Sequence, residues 1–153
     1  MAACIFCRII KGEIPSFKLY DSPKVYAFLD IQPLSKGHAL VIPKTHGEKL
    51  VDVPDDELAE MLPVAKKLAL AVGVKDFNIL QNNGRIAHQE VDHVHVHMVK
   101  LQYTSNYFDV PALTILTKIP KPNETEGLSV GWPAQKTNME ELKAYYEELK
   151  SKM

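Results

Sequence analysis

The sequence lacks long apolar runs and any clear excess of charge. Its longest apolar stretches, such as HALVI at 38–42, are far too short to span a lipid bilayer. The formal net charge is −1, which gives no general electrostatic attraction to nucleic acid or to an anionic membrane surface. We therefore expect neither nucleic acid nor a membrane as a partner. The 153 residues are 46% hydrophobic, which is ordinary for a soluble chain and sufficient for one domain with a core.

The sequence also has little cysteine, since Cys4 and Cys7 are the only two and form one C-x-x-C pair. Arg8 and Lys11 interrupt the N-terminal stretch before a signal-like apolar segment develops. We therefore expect a reducing compartment, the cytoplasm, with the nucleus as a second location. In such a compartment the pair can be half of a metal site, a redox pair, or two buried small hydrophobic residues.

Three of the six histidines lie in one stretch, His-Val-His-Val-His at 93–97. On a β-strand this spacing directs the three imidazoles to one face and the two valines to the other. A single histidine is most often a structural residue, but three buried rings on one face would each need a hydrogen-bond partner. The pattern therefore indicates a metal site or a catalytic histidine with supporting neighbours.

The apolar periodicity predicts an α+β fold with an antiparallel sheet, because the strands read as hairpin pairs and do not alternate strictly with helices. Pro63 should kink or divide the long helix, and Thr137 with Glu140 should form a capping box for the last one. The predicted elements are a short helix within 4–12, strands at 17–20, 25–29, 37–43, 77–81 and 93–97, and helices at 55–72 and 139–150.

Several longer motifs follow one another in a fixed order. They are CIFCRIIKGEIPS at 4–16, AFLDIQP at 27–33, GHALVIPKTH at 37–46, LQNNG at 80–84, HVHVH followed by Met98, and GWPA at 131–134. This set resembles the histidine triad (HIT) family of nucleotide-binding proteins, and most of all fungal members of its phosphoramidase branch. The resemblance implies a five-stranded antiparallel sheet with two main helices. It also implies a homodimer in which two such sheets join into one of ten strands.

The resemblance implies a hydrolase that releases AMP from adenosine 5′-phosphoramidate and related phosphoramidates of purine nucleosides. His95 would attack the α-phosphorus and form a covalent nucleotidyl-histidine. A neutral imidazole suits this role because its ordinary pKa is about 6.5. His97 would stabilise charge on the phosphate, and His38 would be a further active-site histidine. Without the resemblance, His38 would more simply be a residue at the edge of a strand.

The same resemblance assigns a nucleotide site. Asp30 would accept hydrogen bonds from the ribose, although an aspartate at this position is by itself usually a turn residue. The position of His88 is often glycine in the family, so its backbone there can need a positive φ. Asn82, Gln89 and Glu90 match positions on the phosphate and leaving-group side, and Trp132 matches a tail residue that reaches the active site of the other subunit. The apolar base pocket would be formed by Ile5, Phe6, Ile9, Phe28 and Ile31. Without the resemblance, these apolar residues would be ordinary core.

Some relatives carry a structural zinc ion, and the resemblance places its ligands at Cys4, Cys7, His46 and His93. Two thiolates and two imidazoles are a suitable tetrahedral set for Zn²⁺. The three histidines of the HVHVH stretch would then have structural, nucleophilic and electrostatic roles. The alternative is that zinc is absent and His93 only orients the strand.

Two rival functions remain open at this point. A diadenosine polyphosphate hydrolase would use the same nucleophile, although Asn82 favours the phosphoramidase branch. A nucleotide-binding or zinc-binding adaptor with little turnover is the other, and the intact histidine triad argues against it.

We expect a single HIT domain over residues 1–153, with a C-terminal tail and helix at 121–153. The segment at 99–118 is extra, because it has no counterpart in the family pattern. It reads either as an extension of the histidine strand followed by a loop, or as a retained intron.

Overall fold

The computed structural model describes residues 4–100 and 137–153. Five strands form one sheet in the order β1-β2-β3-β5-β4, and the bonded neighbours are antiparallel. The α+β fold with two main helices is therefore confirmed. The elements are α1 Ile5–Ile10, β1 Lys18–Asp21, β2 Val25–Leu29, β3 Ala39–Pro43, α2 Asp55–Val72, β4 Phe77–Gln81, β5 Val96–Lys100 and α3 Met139–Lys150, with 3₁₀ turns at Leu50–Asp52 and Arg85–Ala87.

The central strands are buried on both faces, which explains why their sequences are almost continuously apolar. One face packs against α2 and α3, and alternate residues of β2 such as Ala27 contribute to it. The other face packs against α1, where Phe6 and Ile9 meet Phe28 of β2. Val94 and Val96 belong to the cluster on the α2 side, as the alternation predicted. The histidines between them are thereby directed towards the α1 side.

Three local predictions were wrong. The strand of the histidine stretch begins only at Val96, so His93 and His95 lie in the segment before it. The last helix is capped by Asn138, whose side-chain oxygen accepts from two backbone N–H groups, and not by Thr137. Of the two effects predicted for Pro63, a kink or a division of the long helix, the division is wrong, because α2 is one helix of 18 residues. Pro63 lies on the exposed face, where water can satisfy the carbonyl that a proline leaves without a partner.

Trp132 and most of the 99–118 segment, from residue 101 onward, lie outside the described residues. Within the described ranges, no helix has both the length and the apolar character that crossing a membrane requires.

Candidate active site and metal centre

His95 is held in one orientation and one tautomer by the chain itself. Its Nδ1–H donates to the carbonyl oxygen of His93 at 2.7 Å, so the lone pair of the neutral ring resides on Nε2. Burial lowers the pKa of His95, against the opposing effect of that carbonyl. The ring is therefore neutral near pH 7, with an available nitrogen nucleophile.

His38 and His97 form a hydrogen-bonded pair beside this nucleophile. The backbone N–H of Leu34 donates to Nδ1 of His38 at 3.2 Å, which leaves the proton of the neutral ring on Nε2. That Nε2–H donates to Nδ1 of His97 at 2.9 Å. Nε2 of His97 consequently carries a proton, and its ring centroid lies 4.8 Å from that of His95. The pair can thus present an N–H donor next to the nucleophile.

This pair predicts a loss of stability in acid. Burial, then the neighbouring His95 and His38, lower the pKa of His97 to about 3. The unfolded chain, with an ordinary histidine pKa near 6.5, binds more protons below that value. Stability is therefore complete above about pH 6.5 and is lost as the pH falls towards the folded pKa. We expect His97 to lower the free energy of unfolding by up to about 1.4 kcal/mol per pH unit in this window. Urea unfolding of His97→Gln should show a correspondingly shallower pH slope, and an identical slope would contradict the prediction.

Asp30 lies at the end of β2 and acts partly as the turn residue that its sequence position suggests. Its Oδ1 accepts from the backbone N–H of Gln32 at 2.8 Å. Its Oδ2 lies 3.4 Å from Nδ1 of His38, and 19% of the side chain is exposed. Because Nδ1 of His38 already accepts from Leu34, this carboxylate oxygen keeps acceptor capacity for another donor.

The apolar residues assigned to the base pocket divide into two groups. Phe6, Ile9 and Phe28 are buried, and the ring of Phe6 meets those of Phe28, His93 and His95 at centroid distances of 5.7, 5.8 and 5.3 Å. Ile5 and Ile31 are 47% and 58% exposed. The buried group packs the histidine segment against α1, while the exposed pair offers apolar surface to a ligand.

The loop between β4 and β5 contains the residues assigned to the phosphate side. Gln89 is buried, and its amide donates to the carbonyls of Glu48 and Val91 and accepts from the N–H of Gly84. These bonds stabilise the loop, a role that sequence spacing gave no reason to expect. Glu90 is exposed, and its charge opposes the lowering of the His95 pKa.

His88 has φ +64°, the left-handed region that glycine adopts most readily, which agrees with the glycine that the family often has at this position. It is the non-glycine residue with positive φ in the described part of the chain. The buried Asn82 donates from Nδ2 to the backbone carbonyl of His88 at 3.2 Å, and this bond anchors the turn.

Cys4, Cys7, His46 and His93 meet at one point, and their four ligand atoms lie within 4.8 Å of one another. Nδ1 of His46 and Nδ1 of His93 are 3.3 Å apart, and three sulfur–nitrogen distances are 3.4 to 3.6 Å: Cys4 to His93, Cys7 to His46 and Cys7 to His93. Tetrahedral zinc, with bonds of about 2.05 Å to nitrogen and 2.3 Å to sulfur, requires separations of about 3.3 and 3.5 Å. The donor set and its spacing therefore fit zinc.

Surrounding groups orient these ligands. Nε2–H of His93 donates to the carbonyl of Pro43 at 2.9 Å, which directs the lone pair of Nδ1 towards the cluster. The buried carboxylate of Glu57 accepts from both the N–H and the hydroxyl of Thr45, the residue before His46. Burial and the adjacent Cys4 raise the pKa of the Cys7 thiol, a cost that a divalent cation would remove.

The family model of the HIT domain matches residues 11–103 of the chain. The chain belongs to the HIT domain family. The chain is 52% identical to adenosine 5′-monophosphoramidase HNT1 of Saccharomyces cerevisiae, over 99% of this chain and 84% of the relative. The predicted resemblance to the fungal phosphoramidase branch is thereby confirmed.

Two solved HIT structures are also similar. A histidine triad nucleotide-binding protein from Candida albicans is 48% identical, with a TM-score of 0.62 over 97% of this chain and 96% of that one. A zinc-bound histidine triad family protein from Mycobacterium smegmatis is 29% identical, with a TM-score of 0.69 over 99% and 98%. The five-stranded HIT fold is therefore shared with both.

Proposed function

We propose that this HIT protein is an adenosine 5′-monophosphoramidase that acts through a covalent nucleotidyl-histidine. The observation that supports it best is the neutral His95, whose Nδ1–H is held by the carbonyl of His93 while Nε2 keeps its lone pair. The 52% identity to a relative of that name supports the substrate class.

In the proposed mechanism, Nε2 of His95 attacks the α-phosphorus as the P–N bond breaks. The leaving nitrogen takes a proton from solvent and departs as ammonia or an amine, and the later hydrolysis step returns that proton to solvent. His97 donates from Nε2 to a phosphate oxygen and stabilises the developing charge, while His38 holds Nδ1 of His97. Water then cleaves the nucleotidyl-histidine, which yields AMP and restores neutral His95.

Product analysis on two substrates tests this function. We expect the protein to convert adenosine 5′-phosphoramidate to AMP with a kcat/KM well above that for diadenosine polyphosphates. The reverse preference would favour the polyphosphate hydrolase, and no turnover of either substrate would favour an adaptor.

We further propose that Asp30 binds the ribose hydroxyls. Asp30→Asn should weaken AMP binding by about 1.5–3 kcal/mol, because a hydrogen bond to a charged acceptor is lost. Thermal stability should change little, since an asparagine oxygen can still accept from Gln32. Calorimetric titration with AMP and thermal unfolding measure the two effects. A large fall in Tm with unaltered affinity would assign Asp30 to the turn alone.

We also propose the homodimer, because an edge strand of the sheet and the helix that precedes it in the chain carry exposed apolar side chains. Phe77 and Ile79 of edge strand β4 are each 40% exposed, and Leu62 and Leu70 of α2 are 59% and 72% exposed. A partner on this edge would pair its backbone groups and cover these side chains. Light scattering at micromolar concentration should give a dimer mass, and Ile79→Lys should shift it towards monomer. A wild-type monomer would contradict the proposal.

A further inference from the structure

The loop at residues 30–38 connects β2 to β3 and has a proposed active-site residue at each end, Asp30 and His38. Its ends are joined by the N–H of Asp30, which donates to the carbonyl of His38 at 3.0 Å. The N–H of His38 in turn donates to the carbonyl of Ser35 at 3.0 Å. The conformation of this loop therefore sets where the ribose acceptor and the His38–His97 pair lie.

One buried polar group of the loop has no partner among the described residues. The hydroxyl of Ser35 is buried, with the residue 8% exposed, and it has no hydrogen-bond partner among the described residues. A buried hydroxyl without a partner costs free energy, and contacts from outside the loop can offset that cost. Gly37, with φ +93°, lets the chain turn there without strain.

Those contacts come from helix α3. The Tyr145 ring lies so close to Gly37 that its hydroxyl would be 2.9 Å from a Cβ placed there. Nζ of Lys36 lies 4.9 Å from the centroid of the same ring. Just before α3, the hydroxyl of Thr137 donates to the carbonyl of Ile31. The helix can act as a fixed support because Leu142 and Leu149 on its inner face are part of the core.

We propose that α3 positions the 30–38 loop for nucleotide binding, with Tyr145 and Thr137 as the positioning residues. This inference rests on the proposed function, because the loop matters only if Asp30 and His38 meet a nucleotide. Neither side chain needs to touch the ligand. Tyr145 acts through the ring surface that Gly37 and Lys36 pack against, and Thr137 acts through its bond to the backbone.

The chain offers a matched control in the next residue of the same helix. The ring of Tyr146 packs against Phe17, with centroids 5.6 Å apart, and its hydroxyl accepts from Nζ of Lys150. Tyr146 thus supports the docking of α3 without a contact to the 30–38 loop among the contacts described. Tyr146→Ala should lower stability and leave nucleotide affinity unchanged.

The experiment measures AMP affinity by calorimetry, KM and kcat on adenosine 5′-phosphoramidate, and Tm, for Tyr145→Ala, Tyr145→Phe, Tyr146→Ala and Thr137→Ala. We expect Tyr145→Ala to raise the Kd for AMP and KM by about fivefold, a usual size for coupling through contacting residues, and to lower kcat by a smaller factor because the loop ends at His38. Tyr145→Phe keeps the ring and should retain wild-type affinity. Hydrogen exchange at residues 31–38 should be faster in Tyr145→Ala alone among the three tyrosine variants.

Equal losses of affinity in Tyr145→Ala and Tyr146→Ala would overturn the inference, as would unaltered affinity in Tyr145→Ala. If Tyr145→Ala fails to fold, Thr137→Ala decides the matter, because this residue lies outside the core. Weaker AMP binding at an unchanged Tm supports the positioning role, and wild-type binding overturns it. Failure of the proposed function would look different: the wild-type protein itself would neither bind AMP nor hydrolyse the phosphoramidate. Failure of the positioning role alone would show as an active wild type and variants that match it.

Discussion

Replacing His95 with alanine is expected to reduce kcat for adenosine 5′-phosphoramidate by roughly a thousandfold or more, while AMP still binds. The reason is the loss of the nitrogen that forms the covalent bond to phosphorus. The Asp30 carboxylate and the exposed side chains of Ile5 and Ile31 remain, so most of the binding surface persists. Single-turnover kinetics measures the chemical step, and calorimetry with AMP measures the binding.

The variant His97→Gln serves as a comparison with His95→Ala. It keeps an N–H donor near the phosphate but cannot reproduce the imidazole pair with His38. Its loss of kcat should be clearly smaller than that of His95→Ala. If His95→Ala retained near-normal turnover, or if His97→Gln lost more activity than it, the assignment of the nucleophile would be wrong.

The second large effect concerns metal. We propose that Cys4, Cys7, His46 and His93 hold one structural zinc ion, since their separations match tetrahedral coordination. When bound, zinc would supply charge neutralisation for two thiolates and a link between α1, the loop after β3 and the histidine segment. Protein purified without chelator should contain about one equivalent of zinc, and the double variant Cys4→Ser, Cys7→Ser should contain none.

The same variant should lose stability, because a ligand that binds only the folded chain adds about 4 kcal/mol at a thousand times its Kd. Chelator should lower the Tm of the wild type and leave that of the double variant unchanged. Activity should fall in parallel, since His93 also supplies the carbonyl that orients His95. Metal-free wild-type protein of full stability would show that the cysteines are only small packed residues.

Much of the fold could be predicted from local patterns, because the spacing of apolar residues along the chain distinguishes helices from strands. The boundaries that failed depend on distant partners. β5 begins at Val96 because its ladder with β3 ends where Val96 meets Val41, and no pattern within HVHVH records that register. The N-cap moved from Thr137 to Asn138 because the hydroxyl of Thr137 is bonded to Ile31, more than a hundred residues earlier.

The candidate site shows the same division. The HVHVH spacing indicated a metal or catalytic site, but the chain alone could not say which nitrogen of each ring is protonated. Those tautomers depend on backbone groups such as the carbonyl of Pro43 and the N–H of Leu34. The internal bonds of Gln89 and the packing of Tyr145 on Gly37 likewise join residues whose proximity only the folded chain creates.

The most direct test of the central proposal is to trap the covalent intermediate. Protein mixed with adenosine 5′-phosphoramidate is quenched during turnover and analysed by intact-protein mass spectrometry, followed by peptide mapping. We predict a species heavier by one adenylyl group, located on His95 and absent in His95→Ala. Rapid hydrolysis with no adenylylated species at any quench time, or an adenylyl group on another residue, would contradict the proposal.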